Sequence, residues 1–236
     1  MGGADSPPEH ATAANWSAVA SAYLLVPLIA VGISGDLGWW QAWVLSLLVL
    51  VAGVVGRVAA DRRHPGLQSD RMRFGRGQRV MRWDKVLSPL MGVTVLYLPV
   101  VVGALDHRFG WTAPFPPWMN AAGLLICALG YAFAVWALVE NRFFTSLVRI
   151  QKDRGHQVCD SGPYRFVRHP GYAGNLLAVV GIPVALDSAW AFAASGVAIA
   201  VSALRTGLED RALQGELPGY REYATRVSYR LLPGLW

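Results

Sequence analysis

The chain has 236 residues, 54% of them hydrophobic and only 15% charged, against about a quarter charged in an ordinary soluble domain. That deficit excludes a water-soluble globule, and the net charge of +6 needs no nucleic acid to explain it once the basic residues are placed along the chain. Two cysteines, Cys127 in an apolar stretch and Cys159 in a polar loop, exclude a disulfide scaffold, and no Cys/His spacing fits a structural zinc site.

The first fifteen residues carry Asp5 and Glu9 and no Lys or Arg. They lack the basic start of a secretory signal, so the first apolar segment is expected to stay in the mature protein. Charge-free runs at 16–35, 37–56, 86–105 and 118–139 each reach the ~20 residues needed to cross a ~30 Å hydrocarbon core. They predict four full transmembrane helices. Between the second and third lies a basic loop, 57–85, whose Arg/Gly-rich stretch from Arg71 to Arg82 suits contact with anionic headgroups. The runs 171–186 and 188–204, parted by Asp187 and interrupted by Pro183, predict a tight helical hairpin whose arms fall short of a complete crossing. The fold class is therefore all-α, a polytopic integral membrane protein. Its two regions are a four-helix part, 1–139, and a second part, 140–236, made of a polar loop, the hairpin 171–204 and a polar tail.

Threading six segments sorts the basic residues. Nine lie from Arg57 to Lys85, six from Arg142 to Arg168 and five from Arg205 to Arg230, leaving Arg108 as the single one elsewhere. By the positive-inside rule these loops and both termini are cytoplasmic. Trp39, Trp40, Trp111, Trp118 and Trp190 then fall at the outer interface, where amphipathic rings are favoured. Any aqueous chemistry is expected in the cytoplasmic pieces.

The densest of these is 156–175, HQVCDSGPYRFVRHPGYAGN. Its prolines and glycines forbid one long helix, and irregular backbone so close to lipid is tolerated where it lines a cavity or a ligand. Pro170 suits the first turn of the following helix, whose unpaired N–H groups and positive dipole end favour an anionic guest. Positive-inside anchoring of a connecting loop would explain Arg165, Arg168 and His169 as plain charges. It does not explain the ordered set His156, Tyr164, Arg168, His169, Pro170 and Tyr172. Further on, Arg205 and Glu209 stand four apart, on one helical face, placed to pair or to grip one ligand.

GPYRFVRHPGYAG, the apolar hairpin, Arg205 with Glu209, and the tail LPGYREYATRVSYRLLP together resemble the isoprenylcysteine carboxyl methyltransferase family of integral-membrane enzymes, over roughly residues 140–236. The resemblance implies S-adenosylmethionine as cofactor, held in a cytoplasmic cup by His156, Gln157, Val158, Cys159 and Tyr164 and by the stretch His169, Pro170, Gly171 and Tyr172. Glu209 is implied as a further cofactor contact and Arg205 as the catalytic, substrate-holding residue. Gln151 is an approximate counterpart of an upstream cofactor glutamine, closer to His156 than the family pattern has it. No metal is implied. The implied partners are membrane lipids and a lipophilic or lipidated acceptor drawn from the bilayer, and the implied location is a cell membrane, bacterial in this reading.

A sulfonium methyl donor is already activated, so the protein's task is positioning with water excluded. Arg205 cannot act as a base. No carboxylate and histidine dyad stands at motif spacing, which favours a carboxylate, thiol or amine acceptor, although His156 or His169 could serve as a base. Two other readings stay open. One is a sterol-type membrane reductase, which shares an RHPxYxG-like segment but binds a nicotinamide cofactor. The other is a non-enzymatic transporter or assembly protein.

Overall fold

The computed structural model describes residues 13–72 and 80–236. The acidic N-terminal stretch and positions 73–79 of the Arg/Gly-rich stretch lie outside the described residues. In chain order the helices are α1 (Ala13–Ser34), α2 (Trp40–Arg63), α3 (Leu67–Met72), α4 (Asp84–Leu96), α5 (Leu98–Phe109), α6 (Pro117–Glu140), α7 (Pro170–Ala185), α8 (Ala191–Glu216) and α9 (Tyr220–Arg226). Among the described residues there is no strand.

Five spans are long and apolar enough to cross a bilayer: α1, α2, α4 with α5, α6 and α8. The protein is a multi-pass integral membrane protein. Its third span departs from the single helix read from 86–105, because it is divided at Tyr97. Pro99 brings no N–H to the helical ladder there, and the Tyr97 hydroxyl leaves the helix to donate to the Ala22 carbonyl at 2.8 Å.

The hairpin expected at 171–204 is asymmetric. Its first arm, α7, has 16 residues and spans only about 24 Å at ~1.5 Å per residue. Its second arm does not stop with the charge-free run: α8 continues to Glu216 over 26 residues and is a full span. The helix carries Arg205 and Asp210 because each is only 2% exposed or less and meets an opposite charge inside the bundle.

The tightest helix pair is α6 with α7, and glycine makes it so. A Cβ on Gly123 or Gly130 of α6 would run into the backbone of α7 at Ala185 or Ala178, and one on Gly174 or Gly181 of α7 would run into the backbone of α6. Such small-residue seams let two helices approach closely in lipid, where hydrophobicity alone gives little drive for association. Buried Cys127 sits in the seam and its thiol donates to the Ala178 carbonyl at 3.3 Å. Val26, Leu45, Val100, Ile182 and Leu186 fill the core between α1, α2, α5 and α7, while Leu28, Val55, Val86 and Leu125 face outward, as a lipid-facing surface requires.

At the end of the bundle poor in basic residues, two carboxylates tie the turns. Asp187 accepts from Gln41, Asn120 and the Phe115 N–H at 2.8–2.9 Å. Asp106 accepts from Thr112 and Ser188. Trp40, Trp111, Trp118 and Trp190 are exposed there, at the expected belt. Trp39 is not part of it: at 2% exposure it lies inside, stacked on His107 with ring centroids 4.3 Å apart.

Candidate active site

The other end gathers the 141–169 loop, the start of α7, the last turns of α8, and α9 with the C-terminal tail. The tail folds back on the motif: the Arg168 and His169 N–H groups donate to the Tyr229 and Arg230 carbonyls, each at 2.9 Å. Pro170 then opens α7. Arg168 grips Asp210 with two bonds of 2.8 and 3.1 Å and caps the Val227 and Ser228 carbonyls with its remaining arm. Asp210, fully buried, also accepts from Arg230 at 2.9 Å, Gln214 at 2.8 Å and the Tyr220 hydroxyl at 3.1 Å, with His169 Nε2 at 3.4 Å. One carboxylate thus fixes α8, α9, the tail and the RHP motif together. A charge buried so deeply persists only when its lone pairs are matched this fully.

Above that hub is a cavity. Of the twelve residues expected at the site, His156, Gln157, Val158, Cys159, Tyr164, His169, Gly171, Tyr172 and Glu209 line it. Phe143, Phe144 and Arg149 of the loop, Leu213 of α8, and Tyr220 and Tyr223 of α9 are among the other residues that line it. The His156 ring packs against Phe143 at 4.6 Å and its Nδ1 accepts the Gln151 N–H at 3.3 Å. Burial, then the charges of Arg149 and Arg154, lower the His156 pKa to about 4, so the imidazole is neutral at pH 7 and carries its proton on Nε2. Burial pushes the Cys159 thiol up and the Tyr164 hydroxyl up, so neither is a ready anion. The Tyr223 hydroxyl donates to the Tyr164 carbonyl at 2.7 Å and fixes the tight turn of the GxY motif.

The remaining three stand back from the lining. Gln151 is buried behind it, donating to the Phe143 carbonyl at 2.9 Å and accepting from Arg154 at 2.9 Å. It braces the loop. Pro170 is buried as the first residue of α7. Arg205 is 2% exposed and every one of its five N–H donors has a partner. Nε and Nη2 hold both oxygens of Asp84 at 2.7 and 3.0 Å, Nη2 also reaches the Ser146 carbonyl at 2.9 Å, and Nη1 meets the Tyr172 hydroxyl at 2.5 Å and Met91 Sδ at 3.9 Å. The Tyr172 hydroxyl in turn donates to Glu209 at 2.6 Å. Arg205 and Glu209 therefore meet through a tyrosine rather than directly.

Sequence reasoning missed Asp84, Asp210, Tyr220 and Tyr223. The tyrosines lay in the quoted LPGYREY string, and Asp210 followed Glu209. Asp84 gave no signal beyond opening an apolar run, because its partner is 121 positions away. Among the described residues no group of three or more His, Cys, Asp or Glu is placed to hold a metal ion.

Residues 122–215 match the model of the isoprenylcysteine carboxyl methyltransferase (ICMT) family. A 70-residue stretch is 35% identical to protein-S-isoprenylcysteine O-methyltransferase B of Arabidopsis thaliana, covering 29% of this chain and 36% of that protein. A probable protein-S-isoprenylcysteine O-methyltransferase of Oryza sativa subsp. indica is 36% identical over 69 residues, with 29% and 36% covered. The cobalt-zinc-cadmium resistance protein CzcN of Cupriavidus metallidurans is 31% identical over 140 residues, covering 58% of this chain and 61% of that protein. The chain thus spans about a third of the length of the plant relatives. The match starts earlier than the RHPGYAG motif suggested, taking in most of α6, and stops before α9 and the tail. The matched residues, 122–215, are those that bring α6, the motif loop, α7 and α8 to one cavity, and over them the chain is similar to the isoprenylcysteine carboxyl methyltransferase family.

Proposed function

We propose that the chain is an integral-membrane methyltransferase that binds S-adenosylmethionine in the cup and transfers its methyl group to a lipophilic acceptor from the bilayer. The observation that carries this reading is the convergence of His156, Tyr164, His169, Tyr172 and Glu209 on one cavity within the segment matched to the family. The donor set fits the cofactor. Glu209 offers a carboxylate to its ammonium group, Arg149 a cation near its carboxylate, and Tyr164, Tyr223 and Phe143 supply flat apolar surface for an adenosine. When bound, the cofactor supplies a methyl group on a sulfonium, an activated leaving group.

What this chain's own residues do is orient and exclude water. Neutral His156 presents an Nε2–H donor without adding charge beside a cationic ligand. Arg205, the implied acceptor-holding residue, acts as a positioning residue: clamped by Asp84, it holds the Tyr172 hydroxyl, which holds Glu209. The buried Asp210 hub keeps His169 and the start of α7 in place. The positive-inside rule puts this end of the bundle in the cytoplasm, where the soluble cofactor is available.

Calorimetric titration of the purified chain tests the reading. S-adenosylmethionine is expected to bind with micromolar-scale affinity and NADPH not at all, with Glu209→Gln weakening the former by roughly 1.5–3 kcal/mol, as for a charge-assisted hydrogen bond. Binding of NADPH without S-adenosylmethionine would overturn the methyltransferase in favour of a reductase.

A further inference from the structure

One face of α8 carries Val197, Ala200 and Leu204 at helical spacing, all exposed as lipid contact requires. The same stripe passes through Gly207 to Arg211, its first exposed charge. Leu204 and Arg211 stand about 10 Å apart along the helix at ~1.5 Å per residue, so the edge of the hydrocarbon falls between them. The C-terminal tail meets α8 at that level: the Trp236 ring lies 4.0 Å from where a Cβ on Gly207 would stand.

The turn that ends in Trp236 presents apolar side chains outward. Leu232 is 51% and Leu235 77% exposed, and Tyr229 beside them is exposed as well. Its backbone closes on itself. The Arg230, Leu231 and Leu232 N–H groups donate to the Trp236 backbone oxygen at 2.9–3.2 Å, and those of Leu235 and Trp236 donate to the Leu232 carbonyl, each at 3.1 Å. Gly234 makes the turn at φ 83°, a conformation that glycine adopts freely. A loop enters the edge of a bilayer only with its backbone groups matched in this way, and leucines flanked by Trp, Tyr and Arg are the side chains that suit that zone. The turn is also tied to the cup. The Arg230 guanidinium lies 5.1 Å from the Trp236 ring centre while its Nε holds Asp210, and the Tyr229 and Arg230 carbonyls hold the Arg168 and His169 backbone.

We propose that residues 229–236 are an interfacial anchor: Leu232 and Leu235 insert at the acyl edge of the leaflet at the basic end, Tyr229, Arg230 and Trp236 sit at headgroup level, and this seat on lipid holds Arg168 and His169 in place. The partner is the phospholipid surface itself, because the turn continues the lipid-facing stripe of α8. The anchor does not depend on the methyltransferase reading.

Fluorescence quenching of the full chain in phosphatidylcholine vesicles tests this. In a Cys159→Ser background, a nitrobenzoxadiazole label on Leu235→Cys should be quenched at least about threefold more strongly by lipid bearing a nitroxide near the headgroup end of its acyl chain than the same label on Glu216→Cys. Glu216 is exposed and lies further out on α8 than Arg211. Leu232→Ser with Leu235→Ser removes the apolar contacts without touching the core. In vesicles the Arg168 and His169 amides of that double variant should exchange with deuterated water about tenfold faster than those of the wild type, whereas Leu37→Ser, at the other end of the bundle, should leave their exchange unchanged. Equal quenching at the two labelled positions, or unchanged exchange in the double variant, would overturn the proposal, and the first of these results would free the turn for a protein partner. Should the double variant not be recovered folded, the quenching comparison decides alone. Neither readout uses S-adenosylmethionine, so a chain that binds no cofactor but shows both effects would fail the methyltransferase reading and leave the anchor standing, and the opposite pattern would do the reverse.

Discussion

Arg205 shows what a spacing can and cannot say. Four residues from Glu209, it reads as an ion pair or a ligand grip. The geometry gives it a third part, a saturated guanidinium clamped by Asp84, with Tyr172 between it and Glu209. Both partners of the Asp84 pair are almost fully buried, so removing one leaves the other as an uncompensated charge. Asp84→Asn or Arg205→Met alone should therefore cost about 3–5 kcal/mol of stability, and the double change clearly less than their sum, because it removes both charges at once. Thermal unfolding of the three variants in detergent measures this, and a double variant as unstable as the sum of the singles would mean that the pair is not coupled. The cup's own residues were legible because most lie in one contiguous stretch, 156–172, dense in groups that a connecting loop does not need. Asp84 was illegible because a lone acid at a membrane boundary is common, and only the fold brings Arg205 to it.

At the scale of elements, four full spans and the two arms of a hairpin could be read from charge-free runs, since lipid excludes unpaired charge. The same rule misjudged α8, where Arg205 and Asp210 are paired inside the bundle and the helix runs twelve residues beyond the last uncharged one. It was also blind to the break at Tyr97, where the cause is proline and not charge. The α6 and α7 seam rests on glycines at heptad spacing, and this carries a prediction. Gly130→Val would push a branched side chain into the backbone of Ala178 and Gly174, where neither side can yield. It should destabilise the protein by more than the ~1–3 kcal/mol typical of an overpacked core and, by shifting α7, distort the cup. Gly196→Ala on α8 is the matched control. A Cβ there meets nothing within 4 Å, so the change should gain about 0.5–1 kcal/mol from helix propensity alone. Unfolding midpoints that rank Gly130→Val at or above wild type would mean that the close seam does not hold the pair together.

For the molecule as a whole, the argument rests on polarity along the bundle axis. Twenty of the 21 basic residues belong to segments that connect at one end, and that same end holds the cup, the Asp210 hub and the entry of α7. The other end is closed by the Asp106 and Asp187 networks and ringed by Trp40, Trp111, Trp118 and Trp190. The positive-inside rule assigns the basic end to the cytoplasm, and single cysteines test this directly in a Cys159→Ser background. A cysteine at Leu37, 75% exposed in the turn after α1, should react with a membrane-impermeant maleimide on intact cells. Cysteines at exposed Lys152 in the motif loop and at Leu235, 77% exposed in the tail, should react only after the membrane is opened. The two basic-end positions also test the threading itself, because α7 is too short to cross fully and the tail reaches the motif loop only if α8 crosses in its place. Labelling of positions 152 and 235 from opposite sides would break the pairing of the tail with Arg168 and His169, and the cup would lose its floor. Labelling of both from outside would keep the cup intact but face it away from the cytoplasm, leaving a cofactor made inside the cell on the wrong side of the bilayer.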